Sequence, residues 1–168
     1  MDGVVSPLSE VLGEQGLDYL VNNAAISPGD DRAFSFDYAE FINVLQTNTV
    51  GPAYLAQVLL PFIEKGARKT IVNYSSGLAS IGLDFGAKTA TYSVTKMAMN
   101  MLTYKQKTAR PDFVVITVDP GWVKTDMGGS HAMLEPHQSV EGVLKVIADL
   151  KSSDSGKFFR YDGVVLPW

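Results

Sequence analysis

Tyr92 and Lys96 are the two residues of this chain whose types and spacing point most directly to chemistry. Residues four apart on a helix share one face, so the ammonium of Lys96 can lie beside the phenol of Tyr92. A neighbouring positive charge favours the phenolate, and the pair is therefore expected to give a proton donor that works near neutral pH. Because the chain holds seven tyrosines, this pattern alone is a weak signal, and its alternative interpretation is a solvated helix pair.

Four further groups of residues strengthen the prediction, and each falls at the end of a predicted strand or on a neighbouring helix. They are Asn22-Asn23-Ala24-Ala25, Asn48, Ser75-Ser76, and the run from Pro120 to Asp126. Doubly wound sheets bind ligands at the carboxyl ends of their strands. The pattern therefore predicts one small-molecule site at this edge of a sheet.

The hydrophobic pattern predicts the elements that must position these residues. Apolar runs indicate strands at 17–21, 70–74, 113–118 and within 158–166, and helical spacing indicates helices at 7–13, 35–63, 90–109 and 140–150. Pro52 is expected to interrupt or kink the second of these helices. Apolar strands that alternate with helices predict a parallel sheet covered on both faces. We therefore expect one α/β domain over residues 1–168, with a doubly wound, three-layer α/β/α fold.

Composition argues against several classes of function. The formal net charge is -4, and no basic cluster is longer than Arg68-Lys69, which argues against nucleic-acid binding. The chain has no cysteine, and its two histidines, His131 and His137, lack the spacing of metal ligands, so neither thiolate nor metal chemistry is expected. No apolar stretch reaches the roughly 18 residues of a membrane span. We expect a soluble, cytoplasmic protein.

These motifs resemble those of the short-chain dehydrogenase/reductase family, most closely its C-factor and sniffer-like carbonyl reductase branch. The resemblance covers nearly the whole chain. The segments that carry it are Asn22-Asn23-Ala24, Asn48-Thr-Val-Gly51, Ile71 to Ser76, Tyr92-x-x-x-Lys96, Pro120 to Gly129 and Gly156 to Trp168.

The resemblance implies a role for each candidate residue. Tyr92 would be the acid/base and Lys96 the partner that lowers its pKa. Ser76 would hydrogen-bond the substrate oxygen, and it is preferred to Ser75 on the family's usual spacing, although the spacing to the tyrosine is longer here. Asn48 would anchor a proton-relay water. The implied NADP(H) contacts are Asn22, Ala24, Tyr92, Lys96, Pro120, Gly121, Val123 and Thr125.

Members of this family begin with a strand, a Thr-Gly-x-x-x-Gly-x-Gly turn and a helix, and no such turn occurs in this sequence. The expectation is therefore an N-terminally truncated Rossmann-like sheet with weak or absent NADP(H) binding, because a helix N-terminus normally neutralises the pyrophosphate. The strand at 17–21 would then form a sheet edge that needs a cover. That edge, together with the family's contact between two long helices, predicts a homodimer or higher homo-oligomer.

Three functions are compatible with these features. The first is a carbonyl/alcohol oxidoreductase that uses NADP(H) and a Ser-Tyr-Lys site on a small-molecule carbonyl substrate. The second is a cofactor-independent acid/base enzyme, such as an isomerase, dehydratase or cyclase, acting on an enolisable substrate in the same pocket. The third is a non-catalytic dimerising or regulatory protein that keeps the fold.

Overall fold

A computed structural model describes the backbone of residues 2–168 and the side chains of residues 7–168. Four strands form one parallel sheet in the order β1-β2-β3-β4: Tyr19–Asn22, Thr70–Tyr74, Val114–Asp119 and Phe158–Arg160. Five α-helices accompany them among the described residues: α1 Asp2–Leu12, α2 Tyr38–Leu45, α3 Gly51–Lys65, α4 Ala90–Ala109 and α5 Pro136–Ala148. The predicted Rossmann-like α/β fold is confirmed.

Helices cover both faces of this sheet. On one face Ile71 and Val115 pack in a core cluster with Ile63 of α3, and on the other face Ile116 packs with Val143 of α5. Burying one such aliphatic side chain stabilises the fold by about 1.5–3 kcal/mol. Because β2 and β3 are buried on both faces, their sequences are apolar runs without alternation.

The first strand differs from its prediction as a fully buried strand. Leu20 and Asn22 point into the core, whereas Tyr19 and Val21 are exposed. The alternation arises because β1 lies at the edge of the sheet and packs on α3 through one face only.

The long helix predicted over 35–63 is interrupted before Pro52. Gln46–Val50 forms a π-helical turn between α2 and α3, and Pro52, which has no N–H to donate to the preceding turn, lies in the first turn of α3. The wider turn carries Asn48, which is 1% exposed. Single π turns inside helices are frequent at functional sites.

Two element boundaries also differ from prediction. The first helix begins at Asp2 and includes Pro7, which was expected to start it. The last helix begins at Pro136 and not near 140, because a capping box between Glu135 and Gln138 stabilises an earlier start. The last strand, Phe158–Arg160, lies within its predicted range of 158–166, and the chain then turns back to pair with it in an antiparallel bridge.

The outer edge of β1 supports the prediction of self-association. Among the described residues this strand pairs with β2 alone, and its exposed side chains Tyr19 and Val21 are apolar in character. We expect a homo-oligomer, since unpaired strand edges with apolar side chains tend to acquire a partner. Light scattering measures this directly, and a stable monomer at micromolar concentration would contradict it.

Within residues 2–168 no helix combines the length and the apolar character that a membrane crossing requires. Among residues 7–168, whose side chains the structure describes, no group of three or more side chains could bind a metal ion. A cytoplasmic location stays a prediction.

Candidate active site

The start of α4 is held from another part of the chain. The carboxylate of Asp31 accepts hydrogen bonds from the amide of Thr91, at 3.2 Å, and from its hydroxyl. Thr89, just before the helix, has a left-handed backbone with φ of 52°. These contacts fix the first turn of α4, which carries Tyr92 and leads to Lys96.

Lys96 lies buried at the carboxyl edge of the sheet. Its Nζ donates a hydrogen bond of 2.8 Å to the carbonyl of Tyr74, the last residue of β2, and lies 5.7 Å from the ring centroid of Tyr92. Its side chain is 2% exposed, and this burial lowers the pKa of Lys96 to about 8. The two residues therefore share one face of α4, as their spacing predicts.

The expected lowering of the Tyr92 pKa by Lys96 is wrong for this structure. Burial, followed by the negative charge of Asp119, raises the pKa of Tyr92 to about 12, and only the neighbouring hydroxyl of Ser76 opposes the rise. The ammonium of Lys96 is directed to the Tyr74 carbonyl and not to the phenol oxygen. Desolvation and a nearby negative charge both disfavour the phenolate, and here they outweigh the hydrogen bond from Ser76.

The two serines after β2 have different surroundings. Ser75 is buried, and its hydroxyl donates to Asn100 Oδ1 at 2.6 Å and lies 3.2 Å from the carbonyl of Lys96. Ser76 is half-buried, accepts a hydrogen bond from the amide of Leu78, and lies beside the phenol of Tyr92. Ser76 is thus the serine that could contact a substrate, while Ser75 holds α4 against the sheet.

Replacing each serine by alanine should separate these two roles. Ser75→Ala removes the hydrogen bond to a buried amide, so it should lower the free energy of unfolding by about 1–3 kcal/mol. Ser76→Ala should leave stability within about 1 kcal/mol of the wild type but lower turnover, because its hydroxyl lies beside Tyr92, the predicted proton donor. Denaturant unfolding and turnover measurements on both variants test this; the opposite pattern would assign the site to Ser75.

Asn48 joins three parts of the site. Its Oδ1 accepts from the amide of Ile26 at 2.8 Å, and its Nδ2 donates to the carbonyl of Ile26 at 2.9 Å and to Thr95 Oγ1 at 3.1 Å. Thr95 Oγ1 donates in turn to the carbonyl of Tyr92. Asn48 therefore ties the π turn to the loop after β1 and to the turn of α4 that bears the tyrosine. Its part in a proton relay stays a prediction.

The loop after β1 begins the predicted cofactor side. Asn22 is buried and donates to Asn73 Oδ1 at 2.8 Å, and Asn73 reaches Thr103 of α4. Beside it lies an open, mainly apolar cavity of about 370 Å³ between β1 and α3, whose walls include Ala24 and Tyr54. Asn22 thus fixes the end of β1, and Ala24 lies where a ligand could contact the loop.

The loop after β3 supplies the other predicted cofactor contacts. Gly121 has φ of +77°, and a Cβ there would lie 2.6 Å from Leu134, so only glycine fits this turn after Pro120. Val123 pairs with Leu134 in a short bridge, and Thr125 accepts a hydrogen bond from the amide of Gly128. The loop is therefore built by internal contacts. Its part in nucleotide binding stays a prediction.

Three residues of the site escaped the sequence analysis. Thr95 links Asn48 to the backbone of Tyr92, and Asp31 caps the helix from 60 positions away. Asp119, the last residue of β3, is a buried carboxylate whose charge acts on the tyrosine. Only Asp119 carried a usable signal, because it directly precedes Pro120 at the carboxyl end of a strand.

Comparison with known proteins agrees with this geometry. The sequence profile of the short chain dehydrogenase family matches residues 3–134. C-signal of Myxococcus xanthus is 35% identical over 154 residues, which cover 90% of this chain and 93% of that protein. Carbonyl reductase Sniffer of D. melanogaster superposes with a TM-score of 0.95 at 35% identity, over 99% of this chain and 73% of that chain.

A second solved structure is similar over the same extent. The NADPH-bound carbonyl reductase from chicken fatty liver has a TM-score of 0.91 and 32% identity, with 99% of this chain and 71% of that chain covered. The chain spans 56% of a Schizosaccharomyces pombe oxidoreductase to which it is 33% identical, and thus little more than half of that relative's length. The profile match over most of the sequence and the identity to C-signal show that this chain belongs to the short-chain dehydrogenase family.

Proposed function

We propose that this chain reduces carbonyl compounds with NADP(H), using Tyr92 as the proton donor. The observation that carries the proposal is the meeting of Ser76, Tyr92 and Lys96 at the carboxyl edge of the sheet, from the end of β2 and from α4. The likeness to Sniffer and to an NADPH-bound carbonyl reductase supports the same assignment.

The residues at this edge fit the nicotinamide half of such a cofactor. An ammonium has three N–H donors, and the hydrogen bond that the structure gives Lys96 Nζ, to the Tyr74 carbonyl, uses one of them. Its other donors suit the hydroxyls of a ribose, and the loops at 22–24 and 120–125 flank the position. When bound, the reduced nicotinamide would supply a hydride to the substrate.

In this proposal Tyr92 completes the reduction by a proton transfer. Its O–H donates the proton to the carbonyl oxygen as the carbonyl carbon receives the hydride, which gives the alcohol and leaves a phenolate. A pKa of about 12 keeps the proton on Tyr92 at neutral pH, so the donor is loaded before reaction. The cation of Lys96 stabilises the phenolate, and Ser76 can donate a hydrogen bond to the substrate oxygen. A positioned acid of this kind contributes about 10²–10⁴-fold to the rate.

The walls next to this site suggest the kind of substrate. The ring of Phe85 lies against Gly77, 3.2 Å from where a Cβ of that residue would be, and is half-exposed. Trp122, on the opposite loop, is 54% exposed. Apolar and aromatic walls bind the apolar body of a ligand. We therefore propose ketones or aldehydes with an aliphatic or aromatic body as substrates.

The test is turnover of a panel of such carbonyl compounds by the purified protein. Consumption of NADPH that matches alcohol formation, and that is lost in Tyr92→Phe, is the expected result. Conversion of an enolisable compound that needs Tyr92 but not NADPH would establish the isomerase, dehydratase or cyclase alternative instead. Turnover of neither kind would overturn the catalytic proposal and leave the non-catalytic alternative.

NADPH is expected to bind this chain weakly. The nicotinamide-side residues are present, but the sequence contains no Thr-Gly-x-x-x-Gly-x-Gly turn to bind the pyrophosphate. We expect a dissociation constant of about 100 µM or weaker by calorimetric titration. Lys96→Met should weaken it further, while Lys105→Met on the exposed side of α4 should not. Sub-micromolar binding would contradict this prediction.

A further inference from the structure

Asp119 lies between the two loops that form the candidate site. It is 9% exposed, and its Oδ1 accepts a hydrogen bond of 3.0 Å from the amide of Gly121, in the loop after β3. Its Oδ2 lies 3.2 Å from where a Cβ of Gly77 would be, and the Gly77 amide favours the ionised carboxylate. One side chain therefore contacts the loop after β2 and the loop after β3.

Both contacts depend on glycine. Any side chain at Gly77 would press on the carboxylate and on Phe85, and a Cβ on Gly121 would clash with Leu134. Two glycines flanking one buried acid therefore allow the loops to approach it closely. Gly77 directly follows Ser76, so a shift of its amide moves the hydroxyl that lies beside Tyr92.

We propose that Asp119 is a positioning residue, which joins the loop of Ser76 to the loop of Gly121 and so sets the place of the Ser76 hydroxyl at Tyr92. Its role in turnover rests on the proposed function, whereas its role in joining the loops does not. Its negative charge adds a second effect, because it favours the neutral phenol that donates the proton.

The charged groups around Asp119 come from three elements. Arg160 at the end of β4 lowers its pKa and Asp162 in the following turn raises it, but burial is the largest effect and raises it above the ordinary value for Asp. Tyr92 of α4 lies near enough for the charge of Asp119 to raise its pKa. Arg160 and Asp162 also pair with each other, so Asp162→Asn changes the surroundings of Asp119 without touching either glycine amide.

A pH titration of the backbone amides by NMR tests the joining of the loops without any assay of activity. The amide signals of Gly77 and Gly121 should shift together in the wild type, with one midpoint above 3.8, the ordinary pKa of Asp. Asp162→Asn should keep this shared transition and move it to lower pH. Asp119→Asn should abolish it and displace both amide signals. Separate midpoints, or unchanged amides in Asp119→Asn, would overturn the proposal.

A second measurement follows the charge effect at Tyr92. With ¹³C at the phenol carbon, the Tyr92 signal, identified by its loss in Tyr92→Phe, should begin to ionise at lower pH in Asp119→Asn than in the wild type. Where carbonyl reduction is detected, Asp119→Asn should lower kcat by about tenfold with little change in KM, as expected for a misplaced acid. The amide titration tests the joining of the two loops by Asp119, and its result does not depend on whether the protein reduces carbonyls. An unmoved Tyr92 titration would overturn the charge effect.

Discussion

Tyr92→Phe is expected to lower turnover by about 10²-fold or more, because it removes the proposed proton donor and leaves the ring in place. Its stability at neutral pH should change by about 1 kcal/mol or less, since no buried donor is left without an acceptor. Steady-state kinetics with a carbonyl substrate and denaturant unfolding measure the two quantities. A substrate converted equally well by the variant and the wild type would exclude Tyr92 from the mechanism.

Tyr74→Phe is the matched control for this experiment. Tyr74 ends β2 and packs on the opposite face of the sheet, with the cluster that includes α5. Its backbone carbonyl, which accepts from Lys96, is kept in the variant. The variant should therefore retain turnover. A loss as large as that in Tyr92→Phe would show that the first result reflects a general disturbance of the site.

With rising pH, the free energy of unfolding of the wild type is expected to change by about 3 kcal/mol relative to that of Lys96→Met. A pKa that differs by one between the folded and the unfolded chain corresponds to about 1.4 kcal/mol. Burial lowers the pKa of Lys96 from 10.5 to about 8, so between these values the unfolded chain binds more protons than the folded one. The wild type should therefore gain stability relative to the variant as pH rises through this window, and lose it as pH falls to about 8.

Denaturant unfolding of both proteins from about pH 7 to about pH 11 measures this difference. Lys105→Met, on the exposed side of the same helix, serves as the control and should show the slope of the wild type. Parallel curves for the wild type and Lys96→Met would contradict the burial of a charged lysine at this position.

The deprotonation of Lys96 should also appear in the pH dependence of turnover. In the proposed mechanism the Lys96 cation stabilises the phenolate of Tyr92, so the rate should fall as pH rises through about 8 and Lys96 loses its proton. In Lys96→Met the residual rate should not fall near this pH, and it should fall only at higher pH, where Tyr92 ionises. A fall in rate near pH 8 that persists in Lys96→Met would show that another group causes it.

Local patterns in the sequence determined most of the fold and the central pair of the site. The strands at β2 and β3 are apolar runs because both of their faces are buried, so hydrophobicity along the chain was enough to place them. Tyr92 and Lys96 share a face because helix geometry relates residues four apart, whatever surrounds the helix. Strand ends followed by polar residues likewise indicated the edge of the sheet at which the site lies.

Only the tertiary structure decided how these residues act. The pKa of Tyr92 rises instead of falling, because it depends on burial and on Asp119 of another strand, which the spacing within α4 does not contain. Asn48 reaches the site through a π turn at Gln46–Val50, whereas the sequence predicted only an interruption or kink at Pro52. Ser75 and Ser76 are adjacent and identical in type, and only the packing of α4 buries one in the core and places the other beside the phenol of Tyr92. Each of these outcomes depends on contacts between residues far apart in the chain, and periodicity and spacing describe only residues that are near.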